Sequence, residues 1–203
     1  MQERKRLFIS IKTSSRQRVE IIKWAATNNY DAVVFPLSEK LSVNNAHIKL
    51  AKRYDLIIEA GGHELSLLLP RRLFTFNKEL FRMEQGKRKK QHHFCTTNPE
   101  TTAIIAEHAR NLFTRSMAAV TVPRIYHLLP DEGGEDIWCA CPACRAFTPA
   151  EQNIIAVNTV ADELNRLDPD ARLSFKDLGT EPEKAGVPPR GNMFIFPAST
   201  NIP

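Results

Sequence analysis

Apolar positions along the chain switch between a strand period and a helix period. Arg6-Leu-Phe-Ile-Ser-Ile-Lys12 is short and rich in β-branched and aromatic residues, the pattern of a strand. Thr13-Ser-Ser15 then offers N-cap oxygens, and Val19, Ile22, Ala25 and Ala26, flanked by Ile21 and Trp24, recur at helical spacing up to Asn28-Asn29. Asp31 to Leu37 is almost continuously apolar, as a strand covered on both faces would be. A second helix is predicted over Ser42 to Tyr54, with Val43, Ala46, His47, Leu50 and Ala51 on one stripe, and a third strand over Asp55 to Ala60, ending at Gly61-Gly62-His63.

Residues 64–94 break this rhythm and read as a long inserted loop, running from Leu65–Leu69 and Pro70 to the basic stretch Gly86-Lys-Arg-Lys-Lys90. A helix then opens at Asn98-Pro-Glu100, with a side-chain cap, a proline suited to the first turn and a carboxylate at the positive end of the dipole. Its apolar stripe is Ile104, Ile105, His108, Leu112 and Phe113. Arg124 to Leu129 is a fourth strand, 131–147 a Cys-rich loop, and Thr148-Pro-Ala-Glu151 a capping box opening a helix to about Leu167. Arg172–Leu178 and Met193–Phe196 supply a fifth and a sixth strand.

Strands alternating with helices require a parallel sheet with right-handed crossovers. No Gly-x-Gly-x-x-Gly or Walker-type loop follows the first strand, which argues against a nucleotide fold. The expected class is α/β, a (β/α)₈ TIM-barrel-like fold in one domain over residues 1–203. With about six strands it is short of the roughly 250 residues such a barrel takes. Two βα units would then come from further chain or a partner.

Composition adds little to the fold and more to the partners. At 42% hydrophobic residues the chain is too apolar to be disordered, and its longest apolar runs are too short to cross a membrane. The first ten residues lack the apolar core of a signal peptide; a chain that truly starts there is cytoplasmic, whereas one that has lost a leader is exported. The net charge of +5 hides an asymmetry: residues 1–90 hold 19 Lys and Arg against 9 Asp and Glu, whereas the remainder is acidic. The basic loop at 86–90 suggests a phosphate-binding patch, but it lacks interleaved aromatics, so nucleic acid is an unlikely partner and a solvated loop the simpler reading.

In parallel α/β architectures, ligands bind at the carboxyl ends of the strands. The titratable residues expected there are Lys12, Glu59, His63, Glu64, His127, Asp131, Glu132, Lys176 and Asp177. Asp131-Glu132 is the leading pair, because one neighbour can stay ionised while the other keeps a proton to donate. Pro-Asp-Glu-Gly-Gly is also ordinary turn composition. His63 either relays a proton or bonds a sugar hydroxyl, or is a histidine satisfied by a backbone carbonyl.

Trp138-Cys-Ala-Cys-Pro-Ala-Cys144 places three thiols within reach of one ion, and zinc in a structural site takes four ligands. Cys95, His92 and His93 are the nearby candidates for the fourth; Cys95, Cys139, Cys141 and Cys144 form the preferred set. Reduced structural cysteines or a disulfide are the alternatives, and the spacing is not that of a ferredoxin cluster.

Phe94-Cys-Thr-Thr-Asn-Pro-Glu100, Leu129-Pro-Asp-Glu-Gly-Gly134 and Trp138 to Cys144, with Val157-Asn158, Gly61-Gly-His63 and Gly86-Lys-Arg88, resemble the bacterial domain-of-unknown-function family 4838 over about residues 6–178. That family is similar to glycoside hydrolases of the β-hexosaminidase and α-glucuronidase kind. The resemblance implies a barrel that acts on carbohydrate around His63, with Asp131 orienting the substrate and Glu132 as the acid. It departs from hexosaminidases in placing Gly133-Gly134 after the carboxylate pair rather than before it. The competing functions are a non-catalytic carbohydrate-binding barrel and a zinc-containing nucleic-acid-binding protein.

Overall fold

The computed structural model describes residues 4–37, 45–117, 124–133, 137–179 and 186–196. Six parallel strands form one sheet: β1 (Arg6–Phe8), β2 (Ala32–Phe35), β3 (Ile57–Gly62), β6 (Ile125–Leu128), β7 (Arg172–Lys176) and β8 (Met193–Phe196), paired in chain order. Helices α1 (Ser15–Thr27), α2 (Ala46–Arg53), α3 (Pro99–Met117) and α4 (Pro149–Leu167) connect the first five of these strands. Strand order that never reverses is the arrangement of a barrel wall rather than of a doubly wound sheet, whose order switches direction.

Local chemistry explains the boundaries. Ser14 closes a capping box with Gln17 at α1, and Thr148 closes one with Glu151 at α4. Asn98 Oδ1 accepts from the Glu100 and Thr101 amides, starting α3. The second helix begins at Ala46, capped by Asn45, later than its apolar stripe suggested; residues 42–44 lie outside the described residues, as do 134–136 of the Cys-rich loop. The fifth strand ends at Lys176, two residues before its predicted end.

Segment 64–94 is more ordered than a loop. It folds into three short 3₁₀ turns, at Leu65–Leu68, Arg71–Thr75 and Lys78–Leu80, then a tight hairpin of β4 (Met83–Glu84) and β5 (Lys87–Arg88). Its buried side chains, Leu65, Leu68, Leu69, Leu80 and Phe81, belong to the main core, which is why it lies down on the barrel.

Side chains alternate across the sheet. Leu7, Val33, Phe35, Ile58, Ala60, Tyr126, Leu128, Leu173 and Phe175 face the helices in the large core. Phe8, Val34, Leu129 and Phe196 form a separate apolar cluster on the inner face. There the rings of Phe8, His127 and Phe196 meet edge-on, each pair of centroids 5.4 Å apart.

Candidate functional site

The inner face carries a buried polar network contributed by four strands. Arg6 Nε donates to Glu59 Oε2 at 2.6 Å, and His127 Nε2 meets the same oxygen at 2.7 Å. His127 Nδ1 lies 2.6 Å from Ser174 Oγ. Glu59 is held below the usual carboxylate range: burial opposes this, but His127 and Arg6 outweigh it. Burial holds the His127 imidazole below its ordinary value despite the pull of Glu59. The assignment that fits these contacts is a neutral His127 donating from Nε2 to ionised Glu59 and accepting the Ser174 hydroxyl, with Arg6 balancing the charge; Glu59 Oε1 accepts no hydrogen bond among the described residues and has Arg4 Nη1 3.7 Å away.

Glu59 and His127 were expected at strand ends, yet both sit within strands and are closed off from solvent. β3 runs on through Gly61 and Gly62, leaving Glu59 in mid-strand. The glycines serve packing: Gly61 has φ +131°, and a Cβ there would lie 1.8 Å from the His127 carbonyl oxygen.

At the carboxyl ends of β1 and β3, a cleft of about 210 Å³ is lined by Phe8, Ser10, Ile11, Pro36, Gly61, His63 and Glu64. Among the described residues larger cavities exist: one of about 610 Å³ lies at the amino ends of β7 and β8 around Asp162, Asp170 and Arg190, the barrel end associated with stability rather than chemistry, and one of about 510 Å³ lies between β1 and α1, lined by Leu7, Thr13, Ile21 and Trp24. His63 Nδ1 bonds the Pro130 carbonyl, which fixes the tautomer and leaves Nε2 a buried acceptor with no partner. One nitrogen is thus satisfied by a backbone carbonyl, and the other has no partner among the described residues.

Asp131 and Glu132 follow β6 at this same end of the sheet, and neither lines the cleft. Asp131 points to the inserted segment, where Ser66 Oγ donates to Oδ1 at 2.6 Å and His92 Nδ1 stands 3.4 Å from Oδ2. Glu132 is exposed. Lys12 and Asp177 are exposed in the turns after β1 and β7, and Asp177 accepts the Gly179 amide.

Beside Asp131, His93 is buried and stacked on Trp138, centroids 4.2 Å apart and planes at 16°. Burial, opposed by Asp131 and reinforced by Arg71, His92 and Arg82, pushes its imidazole down to about 4. Sequence spacing missed Ser66, Arg71 and Gln152 as site residues; the only signal was their position in or beside segments already marked as unusual.

The four cysteines come together. Cys95, Cys139, Cys141 and Cys144 are buried and reduced, their sulfurs all within 4.8 Å of one another, so the fourth member is Cys95 and not His92 or His93. Cys95 Sγ is 3.7 Å from both Cys141 Sγ and Cys144 Sγ. A tetrahedral zinc with Zn–S of about 2.3 Å sets its sulfurs about 3.8 Å apart, which matches. Bonds from Cys139 and Cys144 hold the Cys95 thiol far below its ordinary value, and the same sharing pushes Cys139 up. Around the sulfurs stand the Met83 amide, 3.3 Å from Cys139 Sγ, and the Thr97 hydroxyl, 3.2 Å from Cys144 Sγ. Gln152 of α4 reaches back, accepting from the Cys139 amide and donating to the Cys139 carbonyl.

The basic hairpin is partly engaged internally, since Arg88 bonds Glu79, the Phe81 carbonyl and Cys139 Sγ. No helix among the described residues is long and apolar enough to cross a membrane.

An unreversed parallel wall of strands linked by helices is the architecture of a TIM-barrel domain, and solved structures of glycoside hydrolases share that fold. A family-20 catalytic module of the pneumococcal exo-β-D-N-acetylglucosaminidase superposes with a TM-score of 0.61 at 12% identity, covering 95% of this chain and 58% of that one. The family-20 β-N-acetylhexosaminidase of Streptomyces coelicolor gives 0.52 at 11% identity, covering 94% and 41%. The family-36 α-galactosidase AgaA of Geobacillus stearothermophilus, as a variant bound to stachyose, gives 0.51 at 12%, covering 85% and 27%. The chain therefore has an α/β fold matching glycoside hydrolase TIM-barrel domains over most of its length, and it spans between about a quarter and three-fifths of these chains. No protein-family model matches the sequence. No curated protein matches it either.

Proposed function

We propose that this chain is a glycoside-hydrolase-like barrel domain that engages carbohydrate at the carboxyl ends of β1, β3 and β6. The observation that carries the reading is His63 Nε2, a buried and unpartnered acceptor at a small cleft beside the strand that delivers Asp131 and Glu132. A sugar hydroxyl is the donor that such a group lacks, and about 210 Å³ admits a small group such as one sugar residue, being below the usual size of a drug-like pocket.

In this reading Glu132 is the acid and Asp131 the helper. Asp131 is held in one orientation by Ser66 and His92, as a substrate-orienting carboxylate must be, while Glu132 is free to meet an incoming glycosidic oxygen. The test is Glu132→Gln assayed on aryl glycosides and oligosaccharides. Loss of the general acid lowers kcat by roughly 10²–10⁴-fold, and unchanged turnover overturns the assignment.

A second reading, carbohydrate binding without cleavage, is favoured by the absence of both carboxylates from the cleft lining. A chain that binds oligosaccharide but cleaves none would establish it.

The proposal includes zinc as the ion of the four-cysteine cage, on the strength of four buried sulfurs within 4.8 Å of one another, two of whose spacings, both 3.7 Å, suit a tetrahedral zinc. Its role is structural, since four thiolates leave no open position for a substrate.

A further inference from the structure

We infer that the ion in the cysteine cage is a clasp that holds the inserted segment against Asp131, so that its occupancy sets the orientation of a carboxylate outside the cage. The inference rests on the reading that zinc fills the cage.

Two lines of bonding connect the places. The first runs through the hairpin. The Met83 amide donates to Cys139 Sγ at 3.3 Å, and the Ala140 amide donates to the Met83 carbonyl at 2.8 Å. Arg88 Nη1 donates to the Phe81 carbonyl at 2.8 Å and stands 3.8 Å from Cys139 Sγ. At the far end of the segment, the Cys95 amide donates to the Leu80 carbonyl at 2.9 Å, and Phe81 bridges Phe94. Both ends of residues 80–95 are thereby tied to cage residues.

The second line carries this order to the carboxylate. Arg82 Nε holds the Gln91 carbonyl at 3.0 Å, next to His92, whose Nδ1 faces Asp131 Oδ2. His93 stacks on Trp138, the residue before Cys139. Arg71 donates to the Lys90 carbonyl and to the Ser66 carbonyl, and Ser66 Oγ donates to Asp131 Oδ1. Asp131 is therefore gripped from both sides by the inserted segment, and Arg71 cross-ties the two grips.

Without an ion, only weak S–H···S hydrogen bonds join the four sulfurs, and ionised thiolates would repel one another. Cys95 ends the inserted segment and Cys139 accepts the Met83 amide in its hairpin, so releasing the sulfurs loosens the stretch between these two ties. The helices and sheet pack in one apolar core, which the segment's Leu65, Leu68, Leu69, Leu80, Phe81 and Phe94 also join, so the cage governs the polar stretch between these anchors and not the fold.

The experiment uses the full chain, purified under reducing conditions and compared with and without a zinc chelator. Amide hydrogen exchange is followed over residues 66–92 and over α1 as an internal control, together with zinc content and Trp138 fluorescence. Expected are one zinc per chain and, on its removal, roughly tenfold or greater acceleration of exchange within 66–92, no change in α1, and altered emission from Trp138. Readdition of zinc reverses all of these. His92→Ala is expected to keep the zinc and its exchange protection near the hairpin while loosening the Ser66 side.

Failure to bind zinc overturns the zinc reading, and the inference with it. Zinc that leaves without affecting 66–92 overturns the clasp alone. Acceleration spread equally over α1 also overturns it, because the ion would then support the whole fold.

Discussion

Replacing Glu59 by Leu tests whether the inner-face network is an ion pair in a sealed interior. Glu59 has 1% of its side chain exposed and Arg6 has 7%. The substitution leaves the Arg6 guanidinium without its buried partner and the His127 Nε2–H without an acceptor. Breaking one member of a buried pair costs about 3–5 kcal/mol, because an uncompensated charge remains. Arg4 relieves little of this: it carries the same charge, lies 3.7 Å away and is 43% exposed. With a urea m-value of roughly 2 kcal/mol per M, the unfolding midpoint falls by roughly 1.5–2.5 M. Adding Arg6→Met to Glu59→Leu removes the stranded cation and leaves chiefly the His127 donor unsatisfied, a cost of about 1–3 kcal/mol. The double variant is therefore expected to be more stable than the single one. Urea unfolding followed by far-ultraviolet circular dichroism at neutral pH measures both. A cost below about 1 kcal/mol for Glu59→Leu, or a double variant less stable than the single, refutes the reasoning.

Two further outcomes follow from the same face of the sheet. Glu59 and His127 both have folded values below their unfolded ones, so the unfolded chain binds more protons as the solution is acidified. Stability is then fully present above the unfolded His value near 6.5 and falls as pH drops, first as the His127 contribution is lost and then, below about 4.5, that of Glu59. Thermal melts across pH 3–8 that show no acid-side decline would contradict this. Gly61→Ala places a methyl 1.8 Å from the His127 carbonyl oxygen at a positive φ. Its expected cost exceeds roughly 4 kcal/mol, read as loss of the cooperative transition, whereas Gly86→Ala, with open space around it, keeps most of the stability.

The elements were legible because they rest on local chemistry. Ser14, Asn98 and Thr148 cap their helices as their positions suggested, and within the apolar run at 31–37 Ala32–Phe35 forms a fully buried strand. The inserted segment was legible as an interruption but not as structure, since 3₁₀ turns and a two-residue hairpin carry almost no periodic signal. Strand-end reasoning placed His63 and Asp131 just after the carboxyl ends of β3 and β6, where they lie. It misplaced Glu59, because two glycines that resemble a loop are the last residues of β3. Alternation held a clue to the network: Arg6, Glu59 and His127 are the polar members of otherwise apolar strands, and Ser174 shares the inward-facing phase of β7 with Arg172 and Lys176.

By itself, the sequence determined the order of strands and helices, their caps, the parallel class of the sheet and three of the four thiols that share a site. These depend on backbone preferences and side chains a few residues apart. The tertiary structure alone decided which distant groups meet. Cys95 joins thiols 46 and 49 residues away, Glu59 meets His127 across 68, and Ser66 turns Asp131 toward the inserted segment across 65. Such contacts follow from sheet register and from where a core-anchored segment comes to rest, both set by long-range packing that no local pattern encodes.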